Sequence, residues 1–215
     1  MISIIGAGLK GLSCGLTLQK YGYSVKIIEE RQEIGNPIRS PGWLTAPLEE
    51  DIMKLSKSFE TSIGFSVRRE WLERAFATKF TSNNGQIILK TRYQNDSSEV
   101  IDCTGYKSHY PGWPNSSKQN DEYCTWYGGL SLIDDLPHNF EINSINATSF
   151  CIERYDGLAE CWANYPMKEP TKGWIEVMQG EHHKNIKMIS ATNSIEKGKR
   201  MATEYIQLPC VYLSQ

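Results

Sequence analysis

Six residues near the start of this chain constrain its fold more than any other feature. Gly6-Ala7-Gly8-Leu9-Lys10-Gly11 has the form G-x-G-x-x-G and directly follows an apolar run, Ile2-Ser3-Ile4-Ile5. Leu12, Gly15 and Leu16 come next, at the i, i+3, i+4 spacing of one helix face. A β-rich run from Ser24 to Ile28 follows and ends in Glu29-Glu30. Strand, glycine loop, helix and a second strand ending in acid, about 20 residues downstream, form the pattern of a dinucleotide-binding βαβ unit. Gly6 permits the tight turn, Gly8 lets backbone amides approach a pyrophosphate, and Gly11 lets the helix pack close to the strand. The helix start offers free N–H groups and partial positive charge to phosphates. The acid can accept hydrogen bonds from a ribose diol. Packing alone would rarely need all three glycines.

The chain has 215 residues, enough for one or two domains, and a net charge of −2. It has no basic run, so nucleic acid is not an expected partner. No apolar stretch reaches the length of a membrane span. The first residues lack the basic flank of a signal peptide, so the expected location is cytoplasmic. None of the six cysteines forms a C-x-x-C pair, which argues for buried free thiols and against a zinc ribbon or a dithiol centre. No metal site is expected.

Residues 31–49 read as an irregular, proline- and glycine-punctuated loop, and residues 49–58 as a short helix. Ile63 to Val67 reads as a strand and Arg69 to Phe80 as a helix. Gln86 to Lys90 and Glu99 to Cys103 complete the strands of this half. From about residue 120 the texture is aromatic-rich. Segments 123–132, 147–154, 158–165 and 173–178 read as antiparallel strands, with Asp156-Gly157 as a hairpin turn. Residues 194–206 read as a helix starting at Asn193 or Ser194. The expected fold is therefore α/β: a Rossmann-type FAD/NAD(P)-binding domain over residues 1–118 and an antiparallel substrate-side sheet over 119–185. A C-terminal helix and tail, 186–215, is expected to pack on the first domain.

Val25-Lys26-Ile27-Ile28-Glu29-Glu30-Arg31, followed by Gly35, resembles the opening of FAD-dependent oxidoreductases. Glu33-Ile34-Gly35-Asn36-Pro37-Ile38-Arg39 is similar to the corresponding segment of geranylgeranyl reductases. There, and in the related aromatic hydroxylases, an arginine lies along the flavin, and Arg39 is the matching position. Val67-Arg68-Arg69-Glu70-Trp71-Leu72 is similar to the segment opening that group's next helix, with Arg69 as the basic residue near FAD. Val100-Ile101-Asp102-Cys103-Thr104-Gly105-Tyr106 resembles the strand and turn of flavin-dependent halogenases and lycopene cyclases, where the chain returns to the adenosine side. The likeness carries motifs over roughly residues 1–110. It departs from the family in having no Gly-Asp pair after residue 105 and no halogenase W-x-W-x-I-P segment, and the chain is shorter than full-length members.

The resemblance implies an FAD-dependent oxidoreductase, reductase- or monooxygenase-like, acting on an isoprenoid or aromatic small molecule, with NAD(P)H as a candidate electron donor. Its cofactor-binding residues would be Gly6, Ala7, Gly8, Leu9, Lys10, Gly11, Glu29, Glu30, Arg31, Arg39, Arg69, Thr104 and Gly105, with Glu29 as the ribose ligand and Glu30 as its fallback. Catalytic residues are left unassigned. The alternative from the missing Gly-Asp pair is a non-catalytic or partner-dependent FAD/NAD-binding accessory protein, its site completed by a homo-oligomer or another chain. Among remaining candidates, His182-His183 reads as a surface turn. Glu153, Arg154, Glu160 and Glu176 read as solvent-facing alternates of their strands. Trp126, Tyr127, Trp162, Tyr165 and Trp174 read as core and cross-strand aromatics ahead of a substrate pocket.

Overall fold

The computed structural model describes residues 1–94, 100–104 and 122–207. The chain starts β1 (Ile2–Ile5), α1 (Leu9–Lys20), β2 (Val25–Ile28), α2 (Glu50–Leu55), β3 (Phe59–Thr61), β4 (Gly64–Ser66) and α3 (Arg69–Ser82). There follow β5 (Gln86–Ile88), β6 (Val100–Asp102), β7 (Tyr123–Leu132), β8 (Ser144–Ile145), β9 (Ser149–Glu153), β10 (Leu158–Ala163) and β11 (Glu176–His183). A 3₁₀ turn (Ile186–Ile189) and α4 (Ala191–Gln207) complete the described chain. Among the described residues, no helix is long and apolar enough to cross a membrane.

The elements fall into two compact units through which the chain alternates. The first takes in Met1–Ile34, the stretch from Phe76 and the helical stretch from Ile195. The second takes in Gly35–Ala75 and the later described residues up to Ser194. The sequence suggested consecutive cuts at 118 and 185 instead, because local patterns do not reveal which distant segments pack together.

The first unit is a parallel sheet in the order β5-β2-β1-β6. Parallel strands need crossover connections, and α1 supplies the one from β1 to β2. All four residues of β1 are buried, as expected of a strand covered on both faces. Leu9, Leu12 and Leu18 of α1 are fully buried, and so are Ile27 and Phe80. The Ser13 hydroxyl donates to the Ile195 carbonyl at 3.0 Å, tying α1 to the start of the last segment.

The second unit carries an antiparallel sheet, β11-β7-β10-β9-β8, and the small hairpin β3-β4. Gly157, at φ +75°, makes the turn between β9 and β10. One face of the sheet packs Trp126, Leu130, Phe150, Ile152, Trp162 and Met178 with Trp43, Ile186 and Ile189. The other face packs Cys151, Ala159 and Cys161 beneath Phe140, Met167 and Trp174. Trp126 and Trp162 are thus core side chains, as their strand positions suggest.

Three expectations fail here. β11 runs to His183, so His182 and His183 lie on a strand paired with β7 and not on a surface turn. β3 and β8 are short strands that the sequence does not announce. Arg154 and Glu160 are buried, at 3% exposure each, where alternation placed them in solvent. For Glu160 the cause is the double cover of β10: with apolar clusters on both faces, alternate positions no longer reach water.

Candidate functional site

In the first unit the residues of the glycine loop do what their types allow. Gly6 has φ +96°, a backbone that only glycine adopts readily. A Cβ on Gly11 would lie 1.9 Å from the Gly6 carbonyl oxygen, so α1 approaches the loop only because Gly11 has no side chain. Gly8 is the N-cap of α1, with no side-chain cap and no acid in the first turn. The amides at the helix start are therefore left to the loop and to whatever binds there.

Glu29, at the end of β2, is buried. Its carboxylate accepts from the Ala7 amide at 2.8 Å, from the Arg31 amide at 2.9 Å and from the Arg31 guanidinium at 3.1 Å. Burial pushes its pKa up, but the Arg31 side chain and the two amides outweigh burial and hold it below the usual carboxylate value. It is ionised at neutral pH. An ionised carboxylate has about four lone-pair sites, so three donors leave room for a hydroxyl. Glu29 therefore ties the end of β2 to the glycine loop, an arrangement that fits a nucleotide ribose beside the loop. Glu30 is exposed and lies 3.9 Å from Arg92.

Across the sheet, the Lys10 ammonium donates to the Thr104 carbonyl at 2.8 Å. Asp102 accepts from the Thr104 amide at 2.8 Å and hydroxyl at 2.5 Å, closing the turn after β6. Leu9 faces the core and offers only backbone. Gly105 lies outside the described residues, as do His109 and Cys210.

In the second unit, Arg39 is exposed, and its carbonyl lies 2.6 Å from His182 Nε2. Carbonyls only accept, so this contact requires a hydrogen on Nε2. Arg69 is buried: its Nε donates to Glu73 at 2.9 Å and its Nη1 to the Pro41 carbonyl at 3.1 Å. Glu160 accepts from the Gly42 amide at 3.1 Å and from the Trp162 indole at 2.8 Å, with Arg154 at 3.8 Å. Burial pushes the Glu160 carboxyl up against the opposing pull of Arg154. A Cβ on Gly42 would lie 1.7 Å from the Val67 carbonyl, so this backbone passes tightly under its neighbour. The segment from Arg39 to Gly42 is thus fixed at three backbone atoms by His182, Arg69 and Glu160.

The family described as "NAD(P)-binding Rossmann-like domain" matches residues 4–43. A digeranylgeranylglycerophospholipid reductase of Methanococcoides burtonii is 28% identical over 116 residues, covering 42% of this chain and 29% of the relative. The match thus spans under a third of that protein's length. A geranylgeranyl bacteriochlorophyll reductase-like protein from Thermoplasma acidophilum superposes with a TM-score of 0.65 at 14% identity, covering 96% of this chain and 78% of the other. CtdE, solved with FAD and a substrate, gives 0.58 at 10% identity, covering 94% and 79%. The chain shares their Rossmann-type fold.

Two groups of residues in this Rossmann-type protein escaped the sequence. Asp102 lies within a quoted motif, but its capping of Thr104 is a matter of turn geometry. Glu160 had a signal that alternation hid. It is the single charge in Leu158-Ala159-Glu160-Cys161-Trp162-Ala163, and a lone carboxylate in an otherwise unbroken run marks a strand buried on both faces.

Proposed function

We propose that this chain binds FAD at its glycine loop and belongs to a flavin-dependent oxidoreductase acting on an apolar small molecule of isoprenoid or aromatic type, with NAD(P)H as electron donor. The carrying observation is the junction of loop and acid: an uncapped helix start, Gly11 against the Gly6 carbonyl, and the buried Glu29 carboxylate bonded to the Ala7 amide. The FAD held by CtdE supports the cofactor, and the lipid named for the Methanococcoides relative supports an isoprenoid substrate. The names of these relatives favour an enzyme over an accessory protein.

In this reading the amides of Gly8 to Gly11 hold the pyrophosphate, and Glu29 takes the adenosine ribose, with Arg31 keeping it ionised. Lys10 and Thr104 brace the loop against the end of β6. For Arg39, in the second unit, a flavin-side role is supported only by the likeness of its segment to the geranylgeranyl reductases. Bound FAD would carry electrons from the donor to the substrate. A cytoplasmic location belongs to the same reading, supported by the five free cysteines among the described residues, four of them buried.

The visible spectrum of purified protein, followed by identification of the released cofactor, tests this. A yellow protein releasing FAD is expected, and Gly8→Val should remain folded yet colourless. A wild type that is colourless and fails to take up added FAD would overturn the assignment. So would a Gly8→Val protein that retains it.

A further inference from the structure

Two free cysteines face each other across the antiparallel sheet of the second unit, and the cofactor reading uses neither. Cys151 of β9 is paired in register with Cys161 of β10. At one end of this ladder the Arg154 amide donates to the Leu158 carbonyl, and at the other the Asn164 amide donates to the Thr148 carbonyl. Hydrogen-bonded and non-hydrogen-bonded pairs alternate along an antiparallel ladder, and counting inward from either end makes Cys151–Cys161 a non-hydrogen-bonded pair. Facing Cα atoms there stand about 4.5 Å apart, inside the roughly 4.4–6.8 Å that a disulfide spans. The Cys161 thiol donates to the Cys151 sulfur at 3.0 Å. That is closer than the roughly 3.5–4.0 Å preferred even by non-bonded carbons, which are smaller than sulfur. Both residues are fully buried, beneath Phe140, Met167 and Trp174. The bond to Cys151, together with burial, holds the Cys161 thiol far above its ordinary value, so the pair rests as two thiols.

A buried cysteine by itself is a small apolar side chain. Two in register, on one sheet face and with their sulfurs in contact, also form a dithiol that closes with little backbone movement. We propose that Cys151 and Cys161 form a reversible disulfide when the protein meets hydrogen peroxide. The Cys151 sulfur attacks one peroxide oxygen, the O–O bond breaks, and the thiol proton leaves with the departing hydroxide as water, giving a sulfenic acid. The Cys161 sulfur then attacks the Cys151 sulfur. The S–S bond forms, the S–O bond breaks, and hydroxide leaves with the Cys161 proton as a second water. Two thiols are oxidised to one disulfide, and one hydrogen peroxide is reduced to two waters. Peroxide is small and reaches the sulfurs when their cover opens locally, so the step is slow in the folded protein. The Cα separation lies at the short end of the disulfide range, where the bond is more readily reduced, so the link is a switch and not a permanent staple. Cys161 stands between Glu160 and Trp162, and Glu160 bonds both the Trp162 indole and the Gly42 amide. Closure therefore acts on the strand that anchors Gly42. Neither FAD nor the assigned reaction is needed for this step.

Peptide mapping of the whole chain, reduced, freed of reductant and treated with hydrogen peroxide, tests it. The protein is quenched in acid and alkylated in denaturant. Cleavage after Glu141, Glu153, Arg154 and Glu160 then puts Cys124, Cys151 and Cys161 on separate peptides. The expected product is a linked Cys151–Cys161 pair, two hydrogens lighter than its separate parts and returned to thiols by dithiothreitol. Cys124→Ser should form the same link. Cys161→Ala should stop at the Cys151 sulfenic acid, which dimedone labels, and circular dichroism checks that this variant folds; the wild-type map decides alone where it does not. Retention of both thiols in the peroxide-treated wild type overturns the proposal. So does linkage of either sulfur to another cysteine in preference, or oxidation of both to sulfinic acid without a link.

Discussion

Gly11→Ala is the sharpest test of how the first unit is built. On a free helix the change would favour folding by about 1 kcal/mol, because alanine is the better helix former. Position 11 is not free: the added methyl would lie 1.9 Å from the Gly6 carbonyl oxygen, 3.1 Å from its carbon and 3.3 Å from the Cys103 side chain. Backbone cannot rotate away as a side chain can, so α1 and the loop must separate by about 1 Å in a close-packed region. Leu9 and Leu12 lie in the same first turns and are fully buried, so the shift also opens their packing. Overpacking costs about 1–3 kcal/mol and more where backbone is forced aside, so the upper end applies and the helix gain offsets only part of it. A net loss of about 2 kcal/mol corresponds to a fall in Tm of about 4–8 °C for a chain of this size. Thermal unfolding followed by circular dichroism reads it. A Gly11→Ala protein as stable as wild type, or more so, would refute the close approach.

Three further outcomes are expected. Glu29 has a lowered pKa, so its contribution to stability is present above about 4.5 and is lost as pH falls through the lowered value; Glu29→Gln should flatten the acid limb of a denaturation-versus-pH profile. Glu160 is raised by burial, so its favourable neutral form is lost as pH rises from about 4.5 through the raised value; Glu160→Gln should remove that decline, and an unchanged slope would contradict the burial argument. Arg69→Met removes the buried ion pair with Glu73 and should destabilise the protein in chemical denaturation by up to about 3–5 kcal/mol, with the Arg69→Met/Glu73→Met double variant regaining part of it.

The first unit was legible because its signals are local. Glycine spacing, an apolar strand and a terminal acid within the opening 30 residues dictate a βαβ unit, and the structure places Glu29 against the loop as that pattern requires. The antiparallel sheet was legible in outline, with aromatic runs and Asp156-Gly157 marking β7, β9 and β10. What stayed hidden depends on distant segments. Glu160 lies on a strand covered on both faces by residues far away in sequence. Met178-Gln179-Gly180-Glu181-His182-His183 lacks strand-like composition and is extended because β7 supplies its ladder. Arg69 and Glu73 have the spacing of a helical ion pair, but their burial and the reach to Pro41 come from the loop folded over them.

The alternation of the chain between its units bears on how the protein is made. The helix of the glycine loop is fastened to Ile195 through Ser13, a pair 182 positions apart. A ribosome that has emitted the entire nucleotide loop still has most of the chain to synthesise before that fastening exists. The parallel sheet can assemble early, but this support arrives only 182 residues after Ser13. For the same reason, no single cut in the gene separates one unit from the other. Expression of residues 1–118 alone would yield the loop without the segment that braces its helix.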